Sequence, residues 1–254
     1  MKIIIPTYRR DKQLTFSFFS KEAKDNTIFV VDQRDKDRLQ IINRRPNEQF
    51  WVSPAKTIAE KRAWIIREAH SRGIQKICMF DDDLRFATRK SPDWSQTALE
   101  PAKPEQIDGA LSWLSSILME ECPHAGFGPR QGNNNAKEEF ACASKMMYAL
   151  GYHVPTVMEN AILGRMPFRE DYDITLQLLR RGYNNIVCHR LVVDNVYNLP
   201  GGCRDERTVE ASDAAAELLA ALHPGLVKVV EKPYKGSVPR KEVIVSWKKA
   251  LGAG

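Results

Sequence analysis

Nothing in this chain is long and apolar enough to cross a bilayer: its hydrophobic runs last a few residues, against the roughly 20 that a membrane helix needs. The start, Met1-Lys2-Ile3-Ile4-Ile5-Pro6, meets proline before a signal-peptide core can form, so the expectation is a soluble, unexported, cytoplasmic protein. Cysteine is sparse. Cys78, Cys122, Cys142, Cys188 and Cys203 are odd in number, widely separated and without a CxxC pair, which points away from a disulfide framework or a zinc ribbon. Internal repeats and low-complexity tracts are absent, and no glycine-rich phosphate loop follows the first apolar run.

What is present is a globular composition. The 254 residues are 43% hydrophobic, enough for a sizeable core in one α/β domain, residues 1–254, with the basic segment 225–254 as part of it. An excess of 38 Lys+Arg over 32 Asp+Glu gives a formal charge of +6, which favours polyanionic partners without naming one.

Lys2–Pro6 is β-branched without alternation, the pattern of a strand buried on both faces of a parallel sheet, and it ends in the polar loop Pro6-Thr7-Tyr8-Arg9-Arg10. Thr27–Val31 stops at Asp32 and Gln49–Val52 stops at Ser53, so each strand delivers a polar residue at one edge. From Thr57 the period turns helical through Ile58, Ile65-Ile66 and Ala69 until Gly73, and strand Ile74–Phe80 then runs into Asp81-Asp82-Asp83. Ser91–Pro104 reads as a loop, Glu105–Glu121 as an amphipathic helix, and Gly126–Asn135 as a mobile loop. Cys142–Leu150 and Val154–Met158 are expected to return to the sheet. Arg169–Asp173 opens a helix over Ile174–Arg181, Asn185–Cys188 begins a strand, and Thr208–Leu222 is an alanine-rich helix.

Three adjacent carboxylates repel one another strongly, and a hard divalent cation with oxygen ligands, magnesium or manganese, is the usual remedy. Placement at the carboxyl end of a central strand, where α/β sheets bind ligands, favours that reading of Asp81 and Asp83 over a solvated acidic turn. Glu170-Asp171 with Asp173 also suits a helix N-terminus, where carboxylates favour the dipole. Together the two groups are the equipment for sugar transfer: a Lewis acid on a leaving diphosphate, and a base, assigned to Asp171, for an acceptor hydroxyl.

The order of Ile3–Arg9, Val30-Val31-Asp32, Ala59-Glu60-Lys61-Arg62, Met79–Asp83 and Glu170-Asp171 resembles GT-A glycosyltransferases over about residues 1 to 195. The resemblance implies a mostly parallel sheet flanked by helices, a nucleotide-sugar donor such as a UDP-sugar, and donor contacts from Pro6, Thr7, Tyr8, Arg9, Asp32, Lys61, Arg62 and Asp82. It also implies metal ligation by Asp81 and Asp83 and a Glu170-Asp171 catalytic pair. The family's metal-ligating histidine has two candidates here, His189 or Asp194. A narrower resemblance, at Asn198–Thr208 with its Gly201-Gly202-Cys203-Arg204 core, is to phage glycosyltransferases associated with TET/JBP-type base oxidation, which implies 5-hydroxymethylcytosine in double-stranded DNA as acceptor.

The cluster Arg34, Lys36, Arg38, Arg44, Arg45 and the tail residues Lys235, Arg240 and Lys241 suit phosphate contacts, as do Arg130 and Arg204. Reaching a base in the duplex calls for flipping, with Trp94, Tyr172 and Tyr197 as stacking candidates. A polysaccharide or lipid-linked acceptor, a nucleotidyltransferase and a non-catalytic DNA-binding scaffold stand as alternatives.

Overall fold

The structure, a computed structural model, describes residues 1–10, 13–35, 49–196, 208–234 and 237–253. Four strands, β1 (Lys2–Thr7), β2 (Thr27–Asp32), β3 (Gln49–Ser53) and β4 (Lys76–Phe80), lie parallel in the order β3-β2-β1-β4. Register pairs Thr7 with Val31 and Asp32 with Ser53, so the polar strand ends align along one edge. Six further strands complete the sheet: β5 (Leu84–Arg89), β6 (Leu99–Pro101), β7 (His124–Pro129), β8 (Phe140–Cys142), β9 (Ala149–His153) and β10 (Ile186–Asn195). They continue it from β4 as β9-β7-β10-β5-β6, with β8 on β10, and β9 and β5 run against their neighbours. The fold is α/β with a mostly parallel sheet, as the sequence pattern predicts.

Because side chains alternate along a strand, β1 feeds two cores. Ile3 and Ile5 join Phe29, Phe80 and Phe127 against Ile107, Leu111 and Leu114 of helix Pro104–Ile117. Ile4, on the other face, packs with Val30 and Met79 against Ile65 and Ile66 of helix Ile58–Ser71 and Ile174 and Leu178 of helix Glu170–Arg180. In chain order the helices are α1 (Leu14–Ser17), α2 (Lys21–Asp25), α3 (Ile58–Ser71), α4 (Pro104–Ile117), α5 (Val154–Asn160), α6 (Glu170–Arg180), α7 (Val209–Leu222) and α8 (Trp247–Ala250). A reciprocal Thr57–Glu60 capping box starts α3, fixing where it leaves the sheet edge. A third core joins Ala215 and Leu219 of α7 to Val227, Val243 and Val245 of an antiparallel hairpin, β11 (Val227–Tyr234) and β12 (Ser237–Val245).

Four local expectations give way, the first being the loop at Ser91–Pro104, where Leu99–Pro101 pairs with β5 as β6. Val154–Met158 is helical rather than a strand, since Pro155 falls in the first turn, where its missing N–H breaks no helical bond. Of Cys142–Leu150, only Cys142 and the last two residues belong to strands. The glycines at 126 and 128 belong to β7, not to a loop. A Cβ at Gly126 would sit 2.4 Å from the Ala149 carbonyl oxygen, and one at Gly128 would sit 2.5 Å from His189 Nδ1, so glycine serves close approach here. Among the described residues, no helix is long and apolar enough to cross a membrane.

Candidate active site

A cavity of about 470 Å³ opens at the carboxyl edge of β1 and β4. The Asp81–Asp83 turn forms its floor and is held by a buried residue of α1, Thr15. The Thr15 hydroxyl donates to the Asp81 carbonyl (2.5 Å) and accepts from the Leu84 N–H (2.9 Å), while its own N–H reaches the Asp82 carbonyl (3.3 Å). The Asp81 N–H donates to the Tyr148 carbonyl at 3.1 Å.

Two guanidiniums thread the carboxylates. Arg10 bridges Asp82 (Nε, 2.9 Å) and Asp83 (Nη2, 2.8 Å), and Asp82 also accepts from the Thr7 hydroxyl at 2.9 Å. Asn195, at the end of β10, donates to the other Asp83 oxygen at 2.7 Å. Arg62 of α3 pairs with Asp81 and, through Nη1, with Glu170 at 2.5 Å, tying the aspartate turn to the start of α6. Arg10 Nη1 and Arg62 Nε are buried with no hydrogen-bond partner, donors available to an anionic ligand.

Asp81, Asp82, Asp83, Glu170, Asp171 and Glu242 line the cavity against Arg10, Lys61, Arg62 and Arg169, an excess of two negative charges. Burial pushes Asp82 up to about 7, with Asp83 adding to the shift and Arg10 opposing it. Asp171 is pushed up to about 6, first by burial and then by Glu170. Burial and Asp81 also raise Asp83. A divalent cation fits this donor set: Asp81 and Asp83 offer carboxylate oxygens, and the lining carries more acidic than basic side chains. Among the described residues no three His, Cys, Asp or Glu side chains are grouped so as to hold a metal ion.

Backbone strain gathers at the same place. Among the described non-glycine residues, positive φ occurs at Arg9 (51°), Ala143 (45°), Tyr148 (66°) and Arg169 (62°); Tyr148 and Arg169 line the cavity and Arg9 adjoins it. Arg169 precedes α6 and is held there by Nη2 bonds to the Lys241 carbonyl (3.4 Å) and Glu242 (3.3 Å) of the hairpin.

Of the donor residues nominated from sequence, Pro6, Thr7, Tyr8, Lys61, Arg62 and Asp82 line the cavity, as do Asp81, Asp83, Glu170, Asp171 and Tyr172. Arg9 and Asp32 are outside its lining. The Arg9 guanidinium lies over the Tyr8 ring at 4.9 Å, and it is Arg10 that reaches the aspartates. Asp32 is buried behind Tyr8; although burial raises its pKa, the Arg34 hydrogen bonds (2.9 and 2.7 Å) and Lys61 (3.7 Å) hold it below the usual carboxylate range.

The structure sets His189 apart. β10 bulges out of register between Cys188 and Val192, and His189 lies in that bulge against Gly128 of β7, whereas Asn195 stands opposite Leu84 at the end that reaches Asp83. Asp194 is closer but points away from Asn195, pairing with the exposed Arg130 at 3.2 Å. Neither lines the cavity; Asn195 does. Tyr172 meets Trp247 edge-on at 5.2 Å with the Lys145 ammonium 5.3 Å from its ring, and Trp94 is covered by Arg89 at 4.3 Å. Lys241 is paired with Glu217. Lys36, Arg38, Arg44, Arg45, Tyr197, Gly201, Gly202, Cys203, Arg204 and Lys235 lie outside the described residues.

A mixed sheet that brings an aspartate turn and a Pro-Thr-Tyr loop to one cavity with the glutamate-aspartate start of α6 has the architecture of the GT-A fold. Within that fold class, the chain belongs to the TET-associated glycosyltransferase family, whose profile matches residues 1–201. Its fold is similar to that of a mannosyltransferase from Pyrobaculum calidifontis solved with GDP-Man and Mn2+, at 12% identity and a TM-score of 0.50 over 76% of this chain and 56% of that one. The chain thus spans little more than half the length of that protein. GalNAc-T7, solved with UDP, GalNAc and Mn2+, matches at 9% identity and a TM-score of 0.44 over 78% of this chain and 44% of that one. No curated protein sequence matches the chain significantly.

Proposed function

We propose that this protein moves a sugar from a nucleotide-sugar donor, a UDP-sugar, to the hydroxymethyl group of 5-hydroxymethylcytosine in double-stranded DNA such as a modified phage genome. The observation that carries the proposal is the convergence of Asp81–Asp83, Arg10, Arg62 and Glu170-Asp171 on one cavity. The acceptor is suggested by the family's association with TET-type base oxidation, which leaves a hydroxyl on a pyrimidine. The whole chain acts as one catalytic domain, the C-terminal hairpin contributing Glu242 to the cavity wall.

Asp81 and Asp83 would hold a Mn2+ or Mg2+ ion, which when bound supplies Lewis-acid stabilisation of the leaving diphosphate. That reading is supported by the ion and nucleotide sugar in the mannosyltransferase of similar fold. The free donors of Arg10 and Arg62 meet phosphate oxygens directly, at the point where negative charge develops. Thr7 and Tyr8 face the nucleotide side. Asp171 takes the proton of the acceptor hydroxyl, and Glu170, locked to Arg62, positions the first turn of α6. Direct displacement with Asp171 as base inverts the anomeric centre.

The test is incubation with manganese, a panel of nucleotide sugars and duplex DNA containing 5-hydroxymethylcytosine, followed by mass spectrometry of the digested nucleosides. A hexose- or pentose-sized mass gain is expected. Donor hydrolysis with unmodified DNA under every condition overturns the acceptor assignment.

A further inference from the structure

The helix that carries the assigned base begins without the usual cap. An N-cap residue normally lies in extended backbone and lends a side-chain oxygen to the first turn, as Thr57 does for α3 and Thr208 for α7. The N-cap of α6 is Arg169, whose φ is 62° and whose side chain makes no capping bond. A left-handed residue other than glycine is held by its surroundings rather than by its own preference. Here the surroundings are the C-terminal hairpin: Arg169 Nη2 donates to the Lys241 carbonyl (3.4 Å) and to Glu242 (3.3 Å) of β12. The Arg169 carbonyl in turn accepts from the Asp173 N–H (3.1 Å), and one Asp171 oxygen accepts from the Tyr172 N–H (2.9 Å), so the carboxylate moves with the first turn.

The same C-terminal segment grips α6 along its length. The Tyr172 ring meets Trp247 of α8 edge-on at 5.2 Å, and Asp173 accepts from His223 Nε2 at 2.8 Å with both side chains buried. Further on, Arg180 Nη1 donates to the Leu222 carbonyl (3.3 Å) and the Gly252 N–H to the Leu179 carbonyl (2.9 Å). Leu176 and Leu179 share an apolar core with Ala215, Leu219 and Val227, while Ile174 and Leu178 face the sheet. One side of α6 is thus held by strands within the family match and the other by residues from 208 onward, which lie outside it. The aspartate turn has different supports: Thr15, Arg10, Asn195 and the Tyr148 carbonyl, none of which belongs to the C-terminal segment.

We propose that the C-terminal segment is a positioning device for the base: Arg169, held left-handed by the Lys241 carbonyl and Glu242, fixes the first turn of α6 and so aims the Asp171 carboxylate at the acceptor hydroxyl. The inference rests on the assignment of Asp171 as base above. Arg169 is a positioning residue, acting through Asp171 and needing no contact with substrate. Releasing it slows proton removal and leaves donor binding alone, because the aspartate turn is supported elsewhere and Arg62 stays anchored by Asp81.

The test compares Glu242→Ala, Glu242→Gln and Arg169→Gly with Glu217→Ala, which removes the exposed partner of the Lys241 side chain on the same hairpin and leaves the Arg169 contacts in place. Each is assayed for kcat of sugar transfer to hydroxymethylated duplex DNA and, without DNA, to water, and for donor affinity and stoichiometry by calorimetry. Stoichiometry counts folded sites, so unfolding shows as fewer sites and misaligned chemistry as slower turnover per site. Glu242→Ala is expected to lower kcat per site about tenfold to a hundredfold with either acceptor, the scale of displacing a reacting group by about 1 Å, with donor affinity unchanged. Glu242→Gln keeps an oxygen for Arg169 and recovers most of the rate. Arg169→Gly takes the left-handed turn freely and so retains its sites, but without the tether it is as slow as Glu242→Ala. Glu217→Ala turns over as wild type.

Wild-type kcat in both Glu242→Ala and Arg169→Gly overturns the proposal, as does a loss of donor affinity large enough to account for the lost rate. Glu242→Gln as slow as Glu242→Ala overturns it in favour of a charge effect on Asp171. Asp171→Asn that transfers as fast as wild type removes the base assignment, and the inference falls with it. Wild type that transfers sugar to water alone refutes the DNA-acceptor reading, while the water rates still decide the positioning role.

Discussion

Replacing Asp171 by asparagine separates chemistry from stability. Burial and then Glu170 push Asp171 up to about 6 from the ordinary aspartate range, so keeping it ionised in the folded state costs about 3 kcal/mol. Asp171 is partly open to the cavity, and solvent screening makes that figure a ceiling. The sign follows from the direction of the shift: a carboxyl with a raised folded pKa contributes stability below its unfolded pKa and loses it as pH rises through about 6. Asparagine carries no charge to desolvate. Asp171→Asn is therefore expected to melt higher than wild type at pH 7.5 by up to about 6 °C, taking an unfolding entropy of about 0.5 kcal/mol/K for a chain of this size. The difference should shrink as pH falls through 6 towards 4, where wild type is neutral as well. Donor binding by calorimetry should persist while sugar transfer disappears. Paired thermal melts at pH 7.5 and 4.5 decide the matter: a variant less stable than wild type at pH 7.5, or a difference independent of pH, refutes the electrostatic account.

Asp83→Ala should abolish the manganese dependence of donor binding, measured by titration calorimetry with and without chelator, while wild type retains it. Arg62→Ala strands Asp81 and Glu170 together in the cavity wall and should destabilise the fold by about 3 to 5 kcal/mol in urea unfolding, the usual effect of breaking a buried pair. Thr15→Val leaves the Asp81 carbonyl and the Leu84 N–H without their shared partner and should lower stability by about 1 to 3 kcal/mol, with donor affinity falling as the floor loosens. For Gly126→Ala, the added methyl meets a backbone oxygen that has nowhere to move, so β7 and β9 must part; a loss of about 1 to 3 kcal/mol or more is expected in the same assay.

The strands that reach the cavity were legible in the sequence because each is a continuous apolar run ending in one polar residue, as at Ile5-Pro6-Thr7, Val31-Asp32 and Phe80-Asp81. That pattern carries both strand and edge. The partners that neutralise the aspartates were harder to see. Arg10 sits one residue beyond the loop that resembles the donor-binding motif, and only the left-handed turn at Arg9 sends its side chain to Asp82 and Asp83. Thr15 and Asn195 act through contacts 66 to 112 residues away in sequence, which no local periodicity encodes. Gly126 and Gly128 misled for a similar reason: glycine signals a loop when read locally, but here it answers to a neighbouring strand and to His189. Val154–Met158 was read as a strand and is a helix: a short apolar segment carries too few residues to separate the two periods, and its proline suits a first helical turn.

The junction between Arg169 and Glu242 separates two inheritances. On one side stand elements within the family match, the nucleotide loop, the aspartate turn and the start of α6; on the other stands a hairpin outside it, joined at the cavity by a few side chains. Substitutions along β11 and β12 can thus alter one wall of the cavity while leaving the aspartate turn and the Pro6–Tyr8 loop untouched.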